Sequence, residues 1–463
     1  MRKRCLRSWF GAAALAFFLI SGAAAEEVRL DPEQMRQVAG LALQSGQPDR
    51  AYTYSEALLK RDPDDRIALL INAGAARSLG QYGHAKSSAR RAWQLSETDA
   101  EKYAASLTMA QVLSSSGART RAQWWLRRAV EHAPNEQLTN RAIRDFRYVR
   151  ATNPWLTRIS FAITPDSNIN NGSSERSSFL NYRLSELLFG QQVEYQLDGA
   201  AVALSGIEYA FRLTTRYRFA QTETRAHDLV FTSDVRHYTL SSKSKELAPG
   251  VEGNDFAFAS YTFGYGQRGI NFNRQGEYRV YLDLGQSWYG GDEYARFIRL
   301  SAGQSYTFKS AERINFRLAG EHQKGITRSD SDTLRADFSY SRFLRNGMRL
   351  WTNLTGAYSK ASLDVDEFQE VGLRAQLTLA KPVAGATVHL GLWLRNRQYD
   401  VTPHSRDGRR EDKIQADLTM VFNQIDYYGF NPTMRVTASK TDSNISLYDA
   451  KRFGVNFGIQ SAF

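Results

Sequence analysis

The chain has 463 residues, enough for two to four ordinary domains, and 42% of them are hydrophobic. Its net charge of +12 is evenly spread, because residues 1–25, 26–150 and 151–463 each carry four more basic than acidic residues. This even spread argues against a nucleic-acid partner, which needs a concentrated basic region. No internal run of eighteen apolar residues occurs, which argues against a membrane-spanning helix.

Residues 1–25 are predicted to be an export signal that is cleaved near Ala25. An apolar core at 9–20 and a cleavage site of small residues follow a basic start formed by Arg2, Lys3, Arg4 and Arg7. The only cysteine, Cys5, lies before the apolar core, so we expect a mature chain without a thiol. Disulfides, thiol catalysis and cysteine metal sites are therefore not expected.

Residues 26–152 have helical periodicity and contain a repeat. A glycine recurs with an alanine five residues after it, in the pairs Gly46 and Ala51, Gly80 and Ala85, and Gly117 and Ala122. Glycine suits the left-handed position at a helix end, and a small alanine lets two helices approach closely. The first two glycines are 34 residues apart, a spacing typical of the tetratricopeptide repeat.

We expect three such units and a last helix near 137–149, which together form a short α-solenoid. A solenoid of this kind presents a concave groove to an extended or partly folded polypeptide. The alternative is that the repeats serve only as a spacer or docking arm.

The helical pattern ends at 153–170, and residues 153–463 alternate apolar and polar side chains. Residues 155–163 are predicted to be the first strand, because Pro154 and Pro165 flank them and proline suits strand boundaries. The last strand is the most specific of these segments. Its apolar face includes Val455, Phe457, Ile459 and the terminal Phe463, whereas the alternate positions are small or polar. This pattern resembles the signal that the barrel-assembly machinery reads in outer-membrane proteins.

Fourteen alternating segments are predicted, starting near 155, 199, 226, 254, 275, 294, 313, 331, 349, 366, 386, 411, 430 and 450. An even number of strands suits a closed antiparallel transmembrane β-barrel, in which the apolar face contacts outer-membrane lipid and the polar face lines a wet lumen. With the repeats in the periplasm, residues 164–198, 400–410 and 443–449 would lie at the outer face. Residues 309–312 and 381–385 would then form short periplasmic turns.

Several short motifs follow one another along the chain: Pro165-Asp166-Ser167-Asn168-Ile169-Asn170, Trp288-Tyr289-Gly290-Gly291, Arg409-Arg410-Glu411-Asp412, Gly429-Phe430-Asn431-Pro432, Ser443-Asn444-Ile445-Ser446-Leu447-Tyr448-Asp449 and the terminal Phe463. Together they resemble those of the surface lipoprotein assembly modulator (Slam) family of Gram-negative bacteria. The resemblance covers nearly all of the mature chain. It implies an outer-membrane translocon that delivers client proteins, either surface lipoproteins or related secreted proteins, to the cell surface. The periplasmic repeats would bind the client.

No catalytic, cofactor or metal site is expected, and the chain is not predicted to be an enzyme. The histidines lack the spacing of metal ligands and are scattered at 84, 132, 227, 237, 322, 389 and 404. Barrel Ser, His and Asp residues leave an outer-membrane hydrolase as a weak alternative.

One short motif occurs twice, first as Asp166-Ser167-Asn168-Ile169 and again as Asp442-Ser443-Asn444-Ile445. The first copy lies beside Pro165 and Asn170, and both copies should lie at the outer end of the barrel near the junction of its first and last strands. Asn and Asp favour turns, so the two copies could simply be similar turns. Our hypothesis is that they latch the outer end of that junction, next to a lateral exit for clients.

The chief alternative function is an exopolysaccharide export porin with a periplasmic repeat domain. A pore for a polyanion should have a strong basic excess, whereas residues 151–463 carry 37 basic and 33 acidic residues. A plain nutrient porin is a second alternative, although it has no obvious use for helical repeats.

Overall fold

The computed structural model describes residues 30–309 and 311–462. The predicted export signal, with Cys5 and the cleavage site at Ala25, lies outside these residues, and so does Phe463. The chain divides into two compact units, Met1–Leu95 and Ser96–Phe463.

The first unit contains four helices in two antiparallel pairs. They are α1 (Pro32–Gln44), α2 (Pro48–Arg61), α3 (Arg66–Ser78) and α4 (Tyr82–Gln94). The carboxylate of Asp31 accepts a hydrogen bond from the Gln34 backbone N–H and starts α1 with a capping box. Ala51 and Ala85 are fully buried early in α2 and α4, where their small side chains allow close helix packing.

The second unit begins with α5 (Asp99–Ser115), α6 (Arg119–Glu131) and α7 (Glu136–Thr152). Ala122 is fully buried early in α6, and the Tyr103 hydroxyl of α5 donates to the Leu138 carbonyl of α7 at 3.3 Å. Gly46, Gly80 and Gly117 follow α1, α3 and α5 with φ of +74°, +75° and +80°. Only glycine adopts this left-handed conformation without strain, and there it lets the chain turn into the next helix. The described residues before 153 thus form seven helices, as the repeat pattern predicts.

The rest of the second unit is a closed barrel of fourteen antiparallel strands. Its strands are β1 (Trp155–Asp166), β4 (Gly206–Gln221), β5 (Arg225–Leu240), β6 (Phe258–Asn271), β7 (Gly276–Tyr289), β8 (Asp292–Thr307), β9 (Arg313–Gly325), β10 (Ser331–Phe343), β11 (Arg349–Ala361), β12 (Phe368–Thr378), β13 (Ala386–Tyr399), β14 (Arg409–Phe422), β15 (Phe430–Ser443) and β16 (Ala450–Ser461). Neighbouring strands follow chain order, and β1 closes the barrel between β4 and β16. The sequence prediction of about fourteen strands in a closed antiparallel barrel is confirmed.

The barrel has two unlike ends. Connections 222–224, 272–275, 308–312, 344–348, 379–385 and 423–429 lie at the end where β1 begins and β16 finishes, which we call the terminal end. The opposite end, which we call the loop end, carries the long connections 167–205 and 241–257 and five shorter ones. The predicted segments 164–198, 400–410 and 443–449 fall at the loop end, and 309–312 and 381–385 fall at the terminal end.

Three details differ from the sequence prediction. Pro165 was expected to end the first strand, but it pairs with Ile207 inside β1. The second barrel strand starts at Gly206 rather than near 199, because Leu204 is fully buried in a small core of the 167–205 connection. That connection also contains β2 (Ser177–Phe179), α8 (Tyr182–Phe189) and β3 (Glu194–Gln196), and a further helix, α9 (Ser242–Leu247), lies in the next one. The sequence analysis did not anticipate these four elements.

Candidate functional site

The barrel wall has one apolar and one polar face. On β12, Val371 and Leu373 are 59% and 45% exposed on the outer face. Arg374 of β12 and Arg395 of β13 lie at the alternate positions, on the inner face. Paired residues on adjacent antiparallel strands share a face, so this alternation continues from strand to strand. An apolar outer wall around a polar interior is the arrangement of transmembrane barrels.

The polar face lines the lumen and is rich in ion pairs. Many of these pairs join arginine to a carboxylate on the adjacent strand; they include Arg212–Asp234, Arg268–Asp228, Arg299–Glu321, Arg397–Glu370 and Arg435–Asp417. A lumen cavity of about 530 Å³ inside β1, β4, β5 and β14 to β16 is lined by five basic and three acidic side chains. These are Arg212, Arg236, Lys413, Arg435 and Arg452, and Asp166, Glu208 and Asp234. Such a surface favours water and charged or polar cargo over apolar ligands.

The junction of β1 with β16, which we call the seam, has a short ladder. In the described residues, β1 and β16 pair at Ala162 with Gly458, Ile163 with Phe457, and Asp166 with Gly454. In contrast, β15 and β16 pair at twelve positions, from Phe430 with Ser461 to Thr441 with Ala450. The seam is therefore the region of the barrel wall with the fewest backbone pairs.

Pro165 contributes to this short ladder. The Ser167 backbone N–H donates to the Phe453 carbonyl at 3.0 Å, so the odd-numbered residues of β1 direct their N–H groups toward β16. Pro165 lies two residues earlier and has no N–H to donate to the seam. The proline that the sequence assigns to a strand boundary thus removes one hydrogen bond where the barrel closes.

The first copy of the repeated motif bridges the seam through its first two residues. The Arg452 Nε of β16 donates to the Asp166 carboxylate at 2.6 Å, and Asp166 is only 6% exposed. The Ser167 hydroxyl accepts the Phe453 backbone N–H at 2.8 Å. Deeper in the seam, the Asn456 amide donates to the Thr164 hydroxyl at 2.8 Å. Side chains therefore supply much of the bonding at the loop end of the seam.

The two asparagines of this first motif region hold the following loop instead. The amide of Asn168 donates to the Gly172 carbonyl at 2.8 Å, and its carbonyl oxygen accepts the Gly172 N–H at 2.9 Å. The amide of Asn170 donates to the Val202 carbonyl at 2.8 Å and so joins the two arms of the 167–205 connection. Both asparagines shape the loop that rises from the seam.

The second copy lies one strand away, at the connection between β15 and β16. The Asp442 carboxylate pairs with Lys440 at 2.7 Å, and the Ser443 backbone N–H donates to Asp449 at 2.6 Å. The Asn444 amide donates to the Gly408 carbonyl at 3.0 Å and links this turn to β14. In the described residues, no hydrogen bond or ion pair joins the two copies. Both copies lie at the loop end, but only the first bonds across the seam.

The 167–205 connection lies over the neighbouring loops. The Ser173 hydroxyl donates to the Ser446 carbonyl at 2.6 Å, and the Leu447 backbone N–H donates to the Ser178 hydroxyl at 3.1 Å. Farther along, Arg406 forms an ion pair with Glu186 of α8. The sequence did not reveal this covering loop, because its contacts join residues more than 200 positions apart.

The predicted assembly residues of the last strand lie on its outer face. Phe457 and Ile459 are 54% and 64% exposed, and Val455 has the same strand parity. The fourth predicted residue of this signal, Phe463, lies outside the described residues.

At the terminal end, α6 binds the barrel through one buried arginine. The Arg127 guanidinium, 8% exposed, donates to the carbonyls of Tyr428 and Gly429 at 2.9 and 2.7 Å. It also donates to the Ser461 hydroxyl of β16 at 2.7 Å, and it lies over the Phe430 ring at 4.1 Å. Burial lowers the pKa of Arg127 to about 10, so it stays protonated at neutral pH. Sequence patterns did not single out this residue.

A second bonded junction joins α7 to β1. The Asn153 amide is buried and donates to the Thr120 hydroxyl of α6 at 3.0 Å, while its carbonyl oxygen accepts the Trp155 N–H at 3.1 Å. The Arg218 backbone N–H donates to the Pro154 carbonyl at 2.8 Å. These bonds fix the entry of the chain into the barrel next to α6.

Residues 30–309 and 311–462 contain no cluster of three or more His, Cys, Asp or Glu residues that could hold a metal ion. None of their helices combines the length and apolar character needed to cross a membrane.

The sequence model of the surface lipoprotein assembly modifier family matches residues 155–460, which span nearly the whole barrel. The chain belongs to this family. The resemblance based on its motifs is therefore confirmed, and surface lipoprotein assembly is the general role that the family match supports. The family and the barrel indicate transport or assembly rather than catalysis.

Solved structures resemble separate regions of this chain. The type III secretion translocator chaperone SycD of Yersinia enterocolitica is 23% identical, with a TM-score of 0.23, over 26% of this chain and 83% of its own. A loop-deletion mutant of the Vibrio cholerae outer membrane protein OmpT is 8% identical, with a TM-score of 0.33, over 66% of this chain and 99% of its own. A BenF-like porin from Pseudomonas fluorescens is 9% identical, with a TM-score of 0.33, over 66% and 98%. Among curated proteins, none matches the chain.

Proposed function

We propose that this protein is an outer-membrane translocon that delivers client proteins, either surface lipoproteins or related secreted proteins, to the cell surface. The family match over residues 155–460 carries this proposal. The barrel supports it, because an apolar outer wall suits lipid and a charged lumen suits a hydrated polypeptide. The outer membrane is then its location, with lipid around the apolar wall.

The helical repeats would bind the client in the periplasm. In this proposal residues 1–25 are a cleaved signal, residues 26–152 form the repeat domain and residues 153–463 form the barrel. The same proposal places the terminal end of the barrel in the periplasm and the loop end at the cell surface. Stacked helix pairs offer an extended surface for a polypeptide, and the Arg127 contacts hold α6 beside the barrel entrance.

The barrel-assembly machinery is the proposed partner during insertion. The outer-facing apolar positions Val455, Phe457 and Ile459 form the recognition strand together with the terminal Phe463. Truncation of this strand should prevent insertion without changing synthesis of the chain.

We also infer that the seam is the lateral exit for the client. Its short ladder and the missing N–H of Pro165 make it the least costly place to separate adjacent strands. In this proposal the pairs Asp166–Arg452 and Ser167–Phe453 form the latch at the loop end. The second motif copy supports the latch indirectly, because Ser443, Asn444 and Asp442 order the adjacent β15–β16 turn.

Deletion of the gene with complementation by the wild-type gene tests the proposed function. We expect a surface-anchored lipoprotein client to keep its cellular abundance but to lose its accessibility to external protease. The exopolysaccharide export porin is the alternative, and the basic excess of the lumen cavity is the observation in its favour. Unchanged client exposure with lost surface polysaccharide would establish the alternative and overturn our proposal.

A further inference from the structure

A cavity rich in arginine lies at the terminal end of the second unit, between α7 and the ends of β4 to β7. Its volume is about 540 Å³. We call it the arginine cavity, after seven lining residues: Arg147, Arg150, Arg216, Arg218, Arg225, Arg268 and Arg279. Glu223 and Glu277 are the acidic residues of its lining. Client delivery as proposed above does not involve this cavity.

The carboxylates near the cavity neutralise only some of these arginines. Asp228, which is fully buried, pairs with Arg268 at 2.7 Å and more distantly with Arg216 at 3.7 Å. Arg279 pairs with Glu277 at 3.1 Å. In the portion of the chain that the structure describes, no carboxylate lies within ion-pair distance of the other four, Arg147, Arg150, Arg218 and Arg225. The cavity therefore keeps a clear positive excess.

Two buried donors beside the cavity make no hydrogen bond among the described residues. They are the Nε atoms of Arg216, which lies 3.7 Å from an Asp228 carboxylate oxygen, and of Arg218. An anion in the cavity would offset the unpaired positive charge of these side chains.

The position of the cavity indicates which anion it binds. Arg216, Arg218 and Arg268 lie on the polar face of β4 and β6, and Arg216 and Arg218 alternate with the outer-face aromatics Tyr217 and Phe219. These three charged groups thus belong to the lumen side and not to the lipid side of the wall. A polypeptide in the lumen can reach them, whereas a lipid headgroup anchored in the membrane would approach from the opposite face.

We propose that the arginine cavity binds carboxylate side chains of an acidic segment of the client polypeptide at the barrel entrance. This inference rests on the proposed function, because it assumes that the client passes this entrance. Several arginines around one cavity hold carboxylates through charge-assisted and often bidentate hydrogen bonds. The cavity would thus select clients, or client segments, with clustered Asp and Glu.

A binding experiment with the purified full-length protein in detergent tests the assignment. The probe is a fluorescein-labelled peptide of four Asp-Ser repeats, with a peptide of four Lys-Ser repeats as its charge control, and the readout is fluorescence anisotropy. The test variant is Arg147→Gln combined with Arg150→Gln, because both line the cavity and neither arginine takes part in an ion pair among the described residues. Arg345→Gln, in the exposed 344–348 turn at the same end, is the matched control.

We expect the acidic peptide to bind the wild type and the Arg345→Gln control equally, and the double variant at least about tenfold more weakly. The basic peptide should not bind. Equal affinity for the double variant and the control would overturn the assignment. Inorganic phosphate that displaces the peptide at an equal concentration would also overturn it, in favour of a general phosphate or lipid-headgroup site.

The client-exposure assay separates the two proposals. If the double variant loses peptide binding but still delivers the client fully, the cavity assignment is wrong and the translocon proposal stands. If deletion of the whole gene leaves client exposure unchanged, the translocon proposal itself is wrong.

Discussion

A disulfide across the seam should block client delivery. Ala162 of β1 and Gly458 of β16 are direct partners, and odd-numbered β1 residues make the hydrogen bonds to β16. This even-numbered position is therefore a non-hydrogen-bonded pair, with Cα atoms about 4.5 Å apart, a separation that suits a disulfide. Since Cys5 is the only cysteine of the chain, Ala162→Cys with Gly458→Cys introduces the only thiols after residue 25.

The magnitude follows from the ladder. With about 1 kcal/mol of net stabilisation per hydrogen bond and about one backbone bond per pair, the three seam pairs, the two bonds between Ser167 and Phe453 and the Thr164–Asn456 bond contribute about 6 kcal/mol. The charge-assisted pair of Asp166 with Arg452 adds about 2 kcal/mol. The twelve pairs of β15 with β16 hold that junction by about 12 kcal/mol. A difference of about 4 kcal/mol makes the seam roughly 10³-fold easier to open. A covalent bond removes that advantage.

The assay measures protease accessibility of a surface client in cells under oxidising and reducing conditions. We expect delivery to fall at least about tenfold when the seam disulfide forms and to recover when it is reduced. Ser301→Cys with Ala319→Cys joins β8 to β9 at another non-hydrogen-bonded pair and is the matched control. Full delivery with a completely oxidised seam, or an equal loss in the control, would refute lateral exit.

Three further outcomes are expected. Arg127→Ala removes the three hydrogen bonds to the Tyr428 and Gly429 carbonyls and the Ser461 hydroxyl, so it should destabilise the packing of α6 on the barrel by about 3 kcal/mol in chemical unfolding followed by circular dichroism, whereas Arg121→Ala on the same helix should have little effect. Asp166→Asn removes the buried ion pair at the seam and should lower the temperature at which the barrel unfolds on heat-modifiability gels; an unchanged temperature would contradict a stabilising latch. Burial and a nearby arginine lower the pKa of His404, whose Nδ1 accepts the Asn181 N–H at 3.3 Å. Because the free loop then binds a proton before the packed loop does, this contact should weaken as pH falls below about 6.5. The readout is a lower protection factor against hydrogen exchange at residue 181, corrected for the intrinsic rate at each pH, and His404→Gln should remove the pH dependence.

The architecture could be predicted because each of its elements repeats a local pattern. The strict apolar–polar alternation of segments such as β12 sets which side of the wall a residue faces. The glycine–alanine repeat is also a local pattern, because Gly46 follows one helix and Ala51 packs in the next helix. Most barrel strands therefore start within a few residues of their predicted positions.

The sites were harder to predict because their contacts are not local. Arg127 finds its acceptors about 300 positions later in the chain, and no spacing rule connects it to Gly429. Both copies of the repeated motif are predicted to latch the outer end of the same junction, whereas only the first copy bonds across it, where Asp166 accepts from Arg452. Sequence similarity between two turns shows that they have similar backbone shapes, but it does not show that they touch.

Reconstitution tests the central claim of client delivery most directly. Purified protein is inserted into liposomes with its repeats inside, a lipoprotein client is enclosed with it, and the fraction of client digested by external protease is measured. We predict that the client becomes digestible only in vesicles that contain the protein. A soluble control protein that is not a client should stay protected inside the same vesicles. A client that remains protected, or leakage of both proteins alike, would contradict a translocon.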